Sequence, residues 1–286
     1  MPSAMPRRAF LVGAPTAAAS AALLELGFPS SLFARRPAPQ EVSAPESFPR
    51  QSLHEVRDVV GASHAQLDRV IEMVEARPAL AKASWDWGFG DWESALGAAS
   101  HTGRRDIAEF LMEHGARPNV FTFAMLGRVD AVEALVGARP GVQRIHGPHG
   151  ITLLQHVRNR MRRDGLSAQE EQGLRDTLRF LDEVGGADDG QRSLELRPEE
   201  RRRYLGTYRF GLDAHEVVEV LVHQGRDMLA MDPAGQGARV LNRVERDAFA
   251  PDGAPAVRVR FEVVDGEVRS LTIHDPAPLL RAARDG

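Results

Sequence analysis

Between residues 53 and 188 the apolar positions recur at intervals of three and four in short bursts, each burst broken by Gly or Pro. Leu67, Val70, Ile71 and Val74 lie on one face of a helix expected over 64–76, after a shorter helix over 53–60. Ile107, Ala108, Phe110 and Leu111 repeat the pattern after the small-residue segment 94–102, with Gly103 as separator. A third pair is expected over 121–126 and 129–136, with Gly127 between its helices and Val132, Leu135 and Val136 on its packing face. The fourth opens at Gly150-Ile151-Thr152 and ends with a helix over 168–184 capped by Gly185-Gly186. Pro78 and Pro140 each follow a second helix, where a residue without an N–H ends the run. Ser52-Leu53-His54-Glu55 has the form of a capping box at the start of the ordered chain.

Past residue 198 the period changes to two. Val257, Val259, Phe261 and Val263 alternate with Arg258, Arg260 and Glu262, and Asp265-Gly266 supplies the residues of a tight hairpin turn. Further strands are expected over 204–210, 216–223, 228–231, 238–244 and 268–274, separated by Gln224-Gly225, Asp232-Pro233 and Pro251-Asp252-Gly253. Six or seven short antiparallel strands of this kind curl into a small barrel or half-barrel.

Composition narrows the field without naming a function. The 286 residues hold enough apolar content, 43%, for sizeable cores, and a net charge of -4 gives no global attraction to nucleic acid or anionic membrane. There is no cysteine, so disulfides and thiolate chemistry are excluded. Pro6-Arg7-Arg8-Ala9-Phe10-Leu11-Val12 precedes a mildly apolar run to Leu26, too short of strong apolar residues for a stable membrane span. Residues 35–51, rich in Pro, Ala, Ser and Glu, read as a disordered linker.

Three resemblances follow from these residues. The paired Arg residues with Phe10-Leu11 resemble a twin-arginine export signal over 1–34, which implies a periplasmic or secreted protein. Ser94-Ala95-Leu96-Gly97, the small residues Ala98, Ala99 and Ser100, and the His114-Gly115-Ala116-Arg117-Pro118-Asn119 ending resemble an ankyrin repeat, as does Gly150-Ile151-Thr152-Leu153-Leu154-Gln155. Tyr204-Leu205-Gly206-Thr207-Tyr208 with the Phe261 strand is similar to the small lipocalin-like β-domain appended to bacterial hydrolases and peptidases, an accessory module that carries no catalytic residue over. The expected architecture is therefore multi-domain α plus β. An α-solenoid of about four ankyrin-type repeats over 52–190 precedes an antiparallel β-domain over 197–276 and a polar tail over 277–286.

Candidate chemistry concentrates in two places. Trp85, Asp86, Trp87, Phe89, Asp91 and Trp92 hold all three Trp residues of the chain in a Gly-punctuated finger, which serves either as a plug between repeats or as a recognition surface. His146 and His149 share a constrained turn. With His101, His156 and either Asp86 or Asp91 they offer ligand types for zinc, set against the ordinary role of a repeat histidine in hydrogen-bonding a neighbouring turn. The strongly spaced signatures of hydrolases, phosphate loops, zinc helices and dinucleotide folds are absent. The resemblance to ankyrin arrays implies a non-catalytic protein-binding module without cofactor or metal, contacting a protein partner through Trp85–Trp92, His101, His146 and His149. A metal-dependent or hydrolytic enzyme and a small-ligand carrier are the alternatives.

Overall fold

Each expected helix pair forms in the computed structural model, which describes residues 50–233 and 237–286. The pairs are α1 Leu53–Ala62 with α2 Leu67–Ala76, α3 Ala95–His101 with α4 Arg105–Glu113, α5 Val120–Met125 with α6 Val129–Ala138, and α7 Leu153–Met161 with α8 Ala168–Val184. Four helices start where a side-chain oxygen accepts from a free amide of the first turn: Ser94 at α3, Asn119 at α5, Thr152 at α7 and Ser167 at α8. The expected capping box at Ser52 does not close. The Ser52 side chain makes no cap bond, and Glu55 instead reaches Arg77 at the end of α2, 2.5 Å away.

The first helices α1, α3, α5 and α7 touch in chain order, and α7 reaches α3 as well as α5. Two of the separating glycines let later helices approach, Gly103 admitting α7 and Gly127 admitting α8. Gly103 and Gly127 have φ of +70° and +67°, and a Cβ would lie 2.9 Å from the Arg160 backbone or 2.7 Å from Leu174 N respectively. The first two pairs bury Val59, Val70, Leu80, Leu96, Ile107 and Leu111 in one core; the last two bury Phe121, Val132, Leu153, Leu174 and Leu181 in another.

Between the first two pairs stands a short hairpin, β1 Ser84–Asp86 against β2 Trp92–Ser94. Its tip turns through Gly88, Phe89 and Gly90, all with positive φ. After a short helix, α9 Pro198–Arg201, eight antiparallel strands close a barrel in the order β10-β3-β4-β5-β6-β7-β8-β9. They are β3 Gly206–Arg209, β4 Val217–His223, β5 Met228–Pro233, β6 Arg239–Glu245, β7 Ala248–Pro251, β8 Arg258–Val264, β9 Glu267–Asp275 and β10 Ala277–Arg284. Asp265 and Gly266, φ 51° and 83°, make the expected turn between β8 and β9. Tyr204, Tyr208, Phe249 and Phe261 pack together inside, three of the ring pairs edge to face and Tyr204–Phe261 tilted, with ring centroids 4.8 to 5.7 Å apart.

The stretch 277–286 corrects the expected polar tail. Residues 277–284 form β10, which pairs with β9 on one side and β3 on the other and closes the barrel. A register shift between Pro278 and Leu280 breaks the alternation that marks a strand, and Ala282 is the only β10 residue among those fully buried, so the segment reads as polar.

Residues 50–286 form one compact unit, and the barrel meets the helical part at the hairpin tip. Arg239 of β6 donates to the carbonyls of Trp87 (2.7 Å) and Gly88 (3.1 Å), and Phe89 packs against the barrel core. No helix among the described residues is long and apolar enough to cross a membrane. The expected export signal, and the linker up to residue 49, lie outside the described residues.

Candidate metal centre

Four elements each deliver one side chain to the same point. Asp91, immediately before β2, and Glu93 within it point inward, 4% and 0% exposed, and Trp92 between them points outward, 64% exposed. His101 ends α3, and the Pro148 side chain packs against that helix at Gly97. His149 sits in the turn after Pro148 with φ 59°, a left-handed conformation rare for a residue with a Cβ. Asp91 holds it there, accepting from the His149 backbone amide and from Nδ1, both at 2.9 Å. His64 lies between α1 and α2, its Nδ1 within 3.0 Å of the Gly61 carbonyl.

With Nδ1 of His64 and His149 engaged, Nε2 of each is left facing Glu93. His64 Nε2 is 3.4 Å from Glu93 Oε2; His101 Nε2 and His149 Nε2 are 2.8 Å and 3.5 Å from Glu93 Oε1. One ligand atom from each of His64, Glu93, His101 and His149 lies within 4.8 Å of all the others, a spread that side-chain adjustment of under about 1 Å would bring to the separations of at most about 4 Å that bonds of about 2 Å to a single ion require. Trp87 Nε1 donates to Glu93 Oε2 at 2.7 Å, and Asp91 behind His149 is the kind of outer carboxylate that orients ligand imidazoles.

Polar satisfaction points the same way. Glu93 Oε1 and His101 Nε2 are buried without a hydrogen-bond partner, since their 2.8 Å approach lacks the alignment of a hydrogen bond. Burial by itself would raise the Glu93 carboxyl, but the neighbouring imidazoles of His101 and His149 hold it down at about 2. Burial likewise opposes a proton on His149, and the Asp91 and Glu93 carboxylates outweigh it, raising that imidazole to about 9. His101, beside the same Glu93, moves the other way: burial dominates, and the neighbouring imidazoles add to it. One shared carboxylate balances one imidazolium, and the second carboxylate beside His149 decides which ring carries the proton. His156, 6.5 Å from the His101 ring, is pushed down by burial to about 4 and keeps Nε2 unpartnered.

Of the residues expected to meet a partner, Asp91 and His101 are buried and His149 faces Asp91 and Glu93, so these three belong to the interior cluster. Trp85 and Trp87 pack against the core of the first two pairs, and Asp86 accepts the Gly88 amide. His146 turns away from the cluster, its Nε2 2.6 Å from the Asp189 carbonyl. Trp92 alone among the three Trp residues stands in solvent. His101 and His149 come together as side chains of metal-ligand type, joined by His64 and Glu93, which the sequence did not single out. Glu93 carried a signal, an acidic residue two positions after Asp91 in a strand; His64, in an inter-helix turn, carried none.

Beside the cluster, on the His149 face, a cavity of about 380 Å³ opens between the hairpin tip and the barrel. No family model, curated protein or solved structure matches the chain.

Proposed function

We propose that this protein is a metalloprotein in which His64, Glu93, His101 and His149 hold one divalent first-row transition ion for hydrolytic chemistry in the adjoining cavity. The convergence of four ligand atoms within 4.8 Å, around a carboxylate with no exposure to solvent, carries this reading. Three imidazoles and one carboxylate without thiolate suit zinc, iron, nickel, cobalt or manganese. A bound ion of this class lowers the pKa of water and polarises carbonyl or phosphoryl oxygens. His149, both a cluster member and part of the cavity wall, supports a centre approached from that side.

The test is metal content together with the visible spectrum after loading tag-free full-length protein with Co²⁺. One ion per chain is expected, falling below a tenth in Glu93→Gln while the variant still melts cooperatively. Failure of the wild-type protein to retain Zn²⁺ or Co²⁺ sinks the proposal.

A second reading rests on Trp92, 64% exposed beside a polar groove that includes Asn119, Phe121 and His146. The sequential packing of first helices supports ankyrin-type stacking, and an exposed aromatic fits a protein contact. Under this reading Trp92→Ala removes capture of a partner and leaves metal content and melting temperature unchanged; undiminished capture removes it.

A further inference from the structure

The cavity next to the cluster has its own chemistry. Its walls include Trp87 and Phe89 from the hairpin and Val240 from the barrel, which together form an apolar bed; His149 brings in the cluster, and Arg226 and Arg239 bring positive charge. At about 380 Å³ it falls at the small end of the range for small-molecule sites.

The charges decide what such a site takes. Arg239 lies 3.5 Å from Asp91 and bonds two hairpin carbonyls, so its role is to hold the floor. Arg226 is paired with Asp252, which also accepts from Asn242, and its side chain is half exposed, so it retains donors for a ligand. With a divalent ion in the cluster, that ion and two guanidinium groups stand against the carboxylates of Asp91, Glu93 and Asp252, leaving one positive charge in excess. A neutral or cationic ligand gains nothing from that excess, and a monoanion cancels it. The aromatic walls favour a body about the size of one ring.

We infer that the cavity binds a small organic anion, a carboxylate or phosphoryl group on a ring-sized apolar body, with its charged end between the metal centre and Arg226. This rests on the metal reading proposed above, because the excess charge comes from the ion.

Full-length protein carrying one equivalent of Zn²⁺, with zinc content measured on the same sample, is titrated by calorimetry with benzoate, phenylphosphonate, benzyl alcohol, benzamidine and inorganic phosphate. Benzoate or phenylphosphonate is expected to bind at least tenfold more tightly than the neutral, cationic and purely inorganic probes, and the tighter of the two names the group. Arg226→Gln, which can still bond Asp252, is expected to weaken that binding at least tenfold with zinc content unchanged. Arg226→Glu is expected to weaken it further. Equal binding of benzyl alcohol or benzamidine, or anion binding indifferent to both Arg226 variants, overturns the inference. Zinc loading without anion binding overturns this inference alone; failure of zinc to load overturns the metal reading and this one together.

Discussion

At the scale of single residues the proposed metal centre depends on groups outside its ligand set. Asp91 keeps His149 in a left-handed turn through two hydrogen bonds, a strain that persists only when surrounding contacts over-determine it. Asp91→Ala is expected to lower metal affinity about 10- to 100-fold, read by competition with a chromogenic chelator. The metal-free protein carries a further signature. His149, raised from 6.5 to about 9, contributes stability that is fully present below pH 6.5 and lost as the pH climbs through 9. Glu93, held down at about 2, contributes stability present above its ordinary 4.5 and lost as the pH falls toward 2. The melting temperature of chelator-treated protein should therefore decline between pH 7 and 10. In Asp91→Ala that decline should shrink by at least half; an unchanged slope would separate His149 from the effect. Sequence marked His101 and His149 as candidate ligands. It could not mark His64, because a histidine in a polar turn looks alike whether its ring faces solvent or a carboxylate.

At the scale of elements, helix pairs were readable because apolar spacing of three and four and capping residues act over one or two turns. Glycines show the limit of that reading. Gly103 and Gly115 are both positive-φ glycines at helix ends, yet a Cβ on Gly115 meets nothing within 4 Å and one on Gly103 meets the Arg160 backbone at 2.9 Å. Gly115→Ala should cost about 1 kcal/mol, the conformational part alone. Gly103→Ala should cost about 2 to 4 kcal/mol, because backbone atoms of α7 cannot step aside without shifting a helix. Urea denaturation of the two variants measures the difference directly, and equal losses would remove the close approach of α7 from the account. Strand β10 was missed for a related reason: as the closing strand it is defined by pairing with β3 and β9 more than by its own alternation.

At the scale of the whole molecule the barrel supports the cluster from outside. Arg239 spans from β6 to the hairpin tip, and the barrel turn at Gly253 packs so closely on Asp91 that a Cβ there would lie 2.9 Å from the carboxyl carbon. Arg239→Ala is expected to leave the barrel intact by circular dichroism. It should speed proteolysis between residues 86 and 91 and weaken metal retention about tenfold, because two carbonyls and a carboxylate lose their cation. Unaltered proteolysis would show that the tip holds its shape without the barrel. The chain by itself determined that four helix pairs are followed by antiparallel strands, since helix and strand periodicity depends on neighbours a few residues away. Tertiary structure decided that residues 64, 93, 101 and 149 share one point, and that residues 277–284 close a barrel. Such meetings depend on how separate elements pack, and no local periodicity encodes the distance between two elements that are remote in sequence.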